Sequence, residues 1–97
     1  MKYRFEWDNR KAQSNIAKHG VSFQQAASVF LDPRMLVLFD LKHSNNEDRW
    51  ITVGLDSRGA LLTVCHTFLQ ESEQAAMIRI FSARKSTTNE IRQYQEL

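Results

Sequence analysis

The stretch Ile78-Arg79-Ile80-Phe81-Ser82-Ala83-Arg84-Lys85 places the tightest limit on what this chain can become. Ile78 and Ile80 alternate with Arg79, so a strand here buries one face and turns a guanidinium outward on the other. Thr87 stands three residues before Glu90, the capping-box spacing, so a helix begins just beyond it. Arg84 and Lys85 fall in the join between strand and helix, where charge is hard to bury and easy to offer to a partner. A core strand, a run of cations and a helix start in one short stretch mark a working surface.

The remaining elements follow from local pattern. Residues 2–7 alternate Tyr3, Phe5 and Trp7 with Lys2, Arg4 and Glu6, a short strand with an aromatic face. Asp8 is placed to cap a mostly polar helix over residues 9–19, and Gly20 ends it. Ser22 and Gln25 form a second capping-box pair. After them Phe23, Ala26, Ala27, Phe30 and Leu31 make an apolar stripe that ends at Asp32-Pro33. Strands are expected over residues 35–39, 50–55, 60–69 and 77–82. Between them lie a polar loop (40–48), the turn Asp56-Ser57-Arg58-Gly59 and an acidic loop (70–74). Short connections argue for an antiparallel meander. The order β-α-α-β-β-β-β-α is an α+β layout, with the helices gathered on one face of the sheet.

Ninety-seven residues suit one domain spanning residues 1–97. No apolar run approaches the ~20 residues of a membrane helix, and Met1-Lys2-Tyr3-Arg4-Phe5-Glu6 is no signal peptide. Cys65 is the single cysteine and cannot form an internal disulfide, so a cytoplasmic protein fits best. The net charge of +2 says little, but its distribution says more. Residues 1–20 hold five cations against two carboxylates, residues 21–78 four against seven, and residues 79–92 four against one. If folding joins the two basic ends, the resulting face suits a polyanion.

Several chemistries are excluded. Cys65 and His66 have no second pair to make a metal site, three glycines make no phosphate loop, and no hydrolase triad can be argued. No metal or other cofactor is expected. What remains suits metal-free RNA phosphodiester cleavage, which needs a base, an acid and cations for the phosphorane. His66, with a reference pKa of ~6.5, is one possible acid or base. Arg49, Arg79, Arg84 and Lys85 can hold phosphate. Glu90 and Tyr94, four apart on one helix face, supply a proton-transfer group and a stacking ring. Each also has a structural reading: His66 as a hydrogen-bonded histidine at the core's edge, Arg79 paired with Glu47 or Asp48, Glu90 as a cap, Tyr94 as packing.

These residues resemble a known family. Phe5-Glu6-Trp7-Asp8, Lys11, Asn15 and Lys18-His19-Gly20-Val21-Ser22-Phe23 look like the opening signature of the BrnT toxins. Asp32-Pro33, Arg49-Trp50, Gly54 and His66-Thr67 sit where that family has similar residues. Ile78-Arg79-Ile80, Ser82-Ala83-Arg84-Lys85, Glu90 and Tyr94 match its closing signature. Phe81 and Ser86 stand where its pattern has isoleucine and alanine, and Thr88-Asn89 replaces a more basic stretch. The resemblance implies the toxin of a bacterial type II toxin–antitoxin pair, with a compact RelE-like fold, two helices before a small antiparallel sheet and one after it. It further implies a metal-independent ribonuclease that blocks translation. The implied partner is a BrnA-type ribbon-helix-helix antitoxin, and only that complex would bind operator DNA and repress the operon. On this reading His66, Arg79, Lys85 and Glu90 are catalytic, and Arg49, Arg84 and Tyr94 bind RNA. Two alternatives belong to other classes: a toxin that inhibits a protein such as DNA gyrase, and a binding module that acts only in the repressor complex.

Overall fold

A computed structural model describes residues 1–96. Its elements are β1 (Lys2–Glu6), α1 (Asn9–His19), α2 (Phe23–Ser28), β2 (Leu36–Phe39), β3 (Trp50–Leu55), β4 (Leu61–His66), β5 (Leu69–Ser72), β6 (Ala75–Lys85) and α3 (Thr88–Gln95). The fold is α+β, with two helices early and one late. Each expected helix start forms. The Asp8 carboxylate accepts from the Arg10 and Lys11 N–H groups, and Ser22–Gln25 and Thr87–Glu90 both close capping boxes. Gly20 ends α1 with φ 66°, a left-handed conformation that costs glycine little.

The sheet runs β1-β6-β4-β3-β2, with β5 also on β6. One strand more is present than the sequence pattern suggested, because the expected strand over 60–69 breaks at Thr67-Phe68 and resumes as β5, inside the supposed acidic loop. Thr67 holds the break to the sheet: its N–H donates to the Arg79 carbonyl (2.9 Å) and its hydroxyl accepts the Arg79 N–H (3.1 Å). The meander is antiparallel, but β1 pairs β6 in parallel, Lys2 to Ala75 through Glu6 to Arg79. The closing strand is also longer than expected. It carries Arg84 and Lys85 within the ladder, opposite Thr63 and Leu62, rather than in a turn.

The core lies between α1–α2 and one face of this sheet. Phe23, Ala26, Val29 and Phe30 meet Leu62, Val64, Ile78, Ile80 and Ala83, with Tyr3, Phe5 and Trp7 at the margin. The expected stripe fails at its last residue. The chain tightens into a 3-10 turn over Val29–Leu31, which buries Val29 and turns Leu31 out, 81% exposed. Register puts Thr63, Arg84 and Val53 on the opposite face, and Glu90 of α3 bonds to the first two. Thus α3 covers that second face, and the helices are not all on one side. On the core face, where it pairs with Leu62, Gly54 permits close packing, since a Cβ would lie 2.8 Å from Val29 Cγ1.

β6 needs partners on both edges. β4 and β5 occupy one, and β1 reaches only Arg79 on the other. Beyond that point a side chain takes over. Buried Asn15 of α1 accepts the Ala83 N–H (3.0 Å) and donates to the Ala83 carbonyl (2.7 Å) and to the Val21 carbonyl (2.9 Å). The amide thus imitates one residue of a neighbouring strand. Asn15→Leu keeps the bulk and strands these groups without partners, so we expect stability to fall by about 3 kcal/mol. Urea unfolding followed by circular dichroism measures it; a loss below ~1 kcal/mol would mean that water replaces the amide.

Candidate functional site

The side chains singled out in the sequence divide between the interior and the surface. His66 lies on the core side of β4, 1% exposed, with the Phe30 ring edge-on at 4.9 Å. Its Nδ1 is 2.8 Å from the Thr67 carbonyl, which can only accept, so Nδ1 carries the hydrogen. Nε2 therefore accepts from the Thr52 hydroxyl at 2.7 Å. Burial pushes the imidazole pKa below its ordinary value, outweighing the upward pull of the Thr67 carbonyl. This is a neutral, enclosed ring with both nitrogens engaged, and a substrate reaches it only if the sheet opens.

Glu90 and Tyr94 do share one face of α3, and that face is turned inward. Arg84 grips Glu90 with both ends of its guanidinium (2.7 and 2.9 Å), while the Thr63 hydroxyl (3.0 Å) and Thr87 N–H (2.8 Å) also donate to it. The Arg84 fork holds the Glu90 carboxyl down to about 2; burial acts against this, and the Thr87 and Thr63 bonds reinforce it. At neutral pH Glu90 is a fully engaged carboxylate, and Arg84 is correspondingly compensated. The Tyr94 hydroxyl donates to Asp32 Oδ2 at 2.7 Å, and the same oxygen accepts the Leu55 N–H at 2.9 Å. Burial alone would raise the Asp32 carboxyl, but these bonds and the Arg34 N–H bring it below the usual range.

Three cations face outward. Arg79 leaves β6 on the side away from Ile78 and Ile80, with a loose contact to Glu6 (3.5 Å) rather than to Glu47 or Asp48. Its hollow, about 430 Å³, is nonetheless lined by Glu6, Glu47 and Asp48, so the local field is mixed. Lys85 is exposed at the end of β6, with no ion pair to it among the described residues. Arg49 sits just before β3, 3.9 Å from Glu47, and its guanidinium carbon lies 4.3 Å from the centre of the Phe81 ring.

The fold does join the two basic ends, through residues that pattern reading passed over. Lys11 of α1 brings its ammonium to 5.2 Å from the same Phe81 ring. On the neighbouring loop, His43 Nδ1 lies 2.9 Å from Asp40 Oδ2 and shares a hollow of about 270 Å³ with Arg49. The carboxylate fixes the Nδ1–H tautomer and leaves Nε2 toward solvent. The Asp40–His43 spacing of three residues in a short helical turn was the available signal for that pair. For Phe81 it was the aromatic residue between Arg79 and Arg84.

Comparison with known proteins bears on the whole arrangement. The family model described as "Ribonuclease toxin, BrnT, of type II toxin-antitoxin system" matches residues 7–90. Among solved structures, the 1.1 Å crystal structure of the Brucella abortus ribonuclease toxin BrnT superposes with a TM-score of 0.61. It is 21% identical, and the match covers 91% of this chain and 100% of that one. No curated protein matches the chain.

The Arg84–Glu90 lock has a consequence for acid stability. Glu90 titrates at about 2 when folded and near 4.5 otherwise, so with falling pH the unfolded chain takes up the proton first. The stabilisation is complete above pH 4.5 and is lost progressively toward pH 2. We expect the protein to lose about 1–2 kcal/mol more than Glu90→Gln over that window, allowing for the part-exposed Arg84. Parallel urea-unfolding stabilities for the two proteins would remove the lock.

Proposed function

Since this chain belongs to the BrnT family of ribonuclease toxins of type II toxin–antitoxin systems, we propose that it is itself an endoribonuclease that arrests translation by cleaving RNA without a metal. The observation that carries this reading is the outward set Arg49, Arg79 and Lys85, cations left exposed beside a sheet whose interior partners are already satisfied. Arg79 binds the reacting phosphate and stabilises the charge of the phosphorane. Arg49 assists from the start of β3, and Lys85, about 20 Å along β6, holds another phosphate of the same strand. Arg84, whose charge Glu90 offsets, serves instead to hold α3 in place.

The proton-transfer role passes from His66 and Glu90 to an exposed group. His43, aligned by Asp40 and sharing a hollow with Arg49, takes the proton of a ribose 2′-hydroxyl at Nε2. The 2′-oxygen then attacks the adjoining phosphorus. The 5′-oxygen leaves and takes up a proton from water while His43 returns its own to solvent, so the products end in a 2′,3′-cyclic phosphate and a 5′-hydroxyl. A BrnA-type antitoxin neutralises the enzyme by covering this basic surface, where charge complementarity speeds encounter. Operator DNA is bound through the antitoxin's ribbon-helix-helix part, and the complex represses its operon.

Two measurements test the proposal. Purified protein incubated with RNA in chelator, with and without ribosomes, should give cyclic-phosphate and 5′-hydroxyl ends. Intact RNA in both, from folded protein, excludes the ribonuclease, and a DNA-damage response on expression would then favour a gyrase-type target. Arg79→Ala and Lys85→Ala should each leave stability within ~0.5 kcal/mol, as surface changes do, yet relieve growth arrest, with Arg79→Ala lowering the cleavage rate on the order of 100-fold and Lys85→Ala acting mainly through weaker RNA binding. A folded Arg79→Ala protein of full toxicity would move the site elsewhere.

A further inference from the structure

Phe81 occupies the one place where the ladder between β4 and β6 slips. Cys65 pairs with Ser82 and His66 with Ile80, so Phe81 is an extra residue with no partner in β4. A bulge of this kind breaks the alternation of faces and re-aims the side chain it carries. Here the ring is only part-buried, and it meets two cations from distant parts of the sequence. Lys11 Nζ stands 5.2 Å from its centre and the Arg49 guanidinium carbon 4.3 Å. Lys11 has no ion pair among the described residues, and Arg49 has only Glu47 at 3.9 Å. A groove of about 220 Å³ continues from the ring along α1, lined by Lys11, Ser14, Lys18 and His19. Lys11 and Lys18 are two helical turns apart, hence on one face.

A ring packed for stability alone has no need of an unpaired ammonium and a guanidinium held only by a long ion pair. Each gains from the ring's π-face, but their mutual repulsion is left for a ligand to relieve. The ligand that uses all three is a nucleotide: its phosphate takes the charges, and its base stacks on the flat aromatic–guanidinium pair. We propose that Lys11, Phe81 and Arg49 form a subsite for one nucleotide of single-stranded RNA, with Lys18 extending the phosphate track along α1. This rests on the ribonuclease reading and extends its site through Arg49 to Phe81, Lys11 and Lys18, none of which lines the hollow of His43. An acidic protein segment would use the cations but would leave the bulged ring without a role.

The test uses a short single-stranded RNA of mixed sequence, 2′-O-methylated throughout so that it is bound but not cut, and fluorescence anisotropy over a salt series. Phe81→Ile should weaken binding about tenfold at each salt concentration, and Phe81→Tyr should restore it. Lys11→Gln and Arg49→Gln should each flatten the log–log salt dependence by about 0.7. Lys11 is an exposed helix residue, so its variant carries the test even if Phe81→Ile folds poorly. Wild-type binding that all of these changes leave intact overturns the subsite while the ribonuclease stands. Loss of antitoxin binding with RNA binding unchanged assigns the surface to a protein and also overturns it. If the wild-type protein neither binds this probe nor cuts unmodified RNA, the ribonuclease reading falls and the subsite with it.

Discussion

Everything in this fold depends on β6 having both its edges satisfied. A central strand with unpaired N–H and C=O groups is costly when buried, and β1 is too short to cover the whole length of β6. Asn15 closes the gap by presenting one amide to Ala83 and a further bond to Val21. That single side chain fixes the height of α1 against the sheet and the corner that leads into α2. Because the corner is fixed, Val21 and Phe23 reach the core, and Lys11 reaches Phe81.

The same strand sorts the polar groups by simple alternation, interrupted once. Before the bulge, Arg79 is turned away from the core; after it, Ala83 turns inward and Arg84 meets α3. Carboxylates then decide which cations remain available. Glu90 spends both oxygens on Arg84 and the helix start, so it stabilises the join between β6 and α3. Arg49 and Lys85 meet no such close partner among the described residues. Of the cations on β6 and at the start of β3, Arg84 is therefore held, while Arg49, Arg79 and Lys85 stay open to a ligand.

Much of this was legible in the sequence because it is local. Caps at Asp8, Ser22 and Thr87, the stop at Gly20 and the alternation around Arg79 are determined within a few residues. The α+β layout also held, with its likeness to a solved BrnT structure, and the match over residues 7–90 supports the family resemblance. What could not be read was non-local. Whether His66 faces solvent or Phe30, whether Arg84 is free or gripped, and where β1 inserts all depend on strand register. The bulge at Phe81 leaves no mark in composition, and the break at Thr67 looks like continuous strand until the opposing Arg79 is known. The 3-10 turn that turns Leu31 outward likewise follows from the sheet beneath it rather than from helical period.

The parallel pairing of β1 with β6 also imposes an order in time. Lys2 must find Ala75, and Glu6 must find Arg79, contacts that join nearly opposite ends of the chain. Closing so long a loop is slow and is rewarded only once both strands exist. On a ribosome, β1, α1 and α2 emerge first and have no centre to pack on, because Ile78, Ile80 and Ala83 are still being added. The basic surface shared by α1 and β6 therefore comes into being only once β6 has been made. A growing chain of this protein carries its N-terminal cations through translation without yet assembling them into a site.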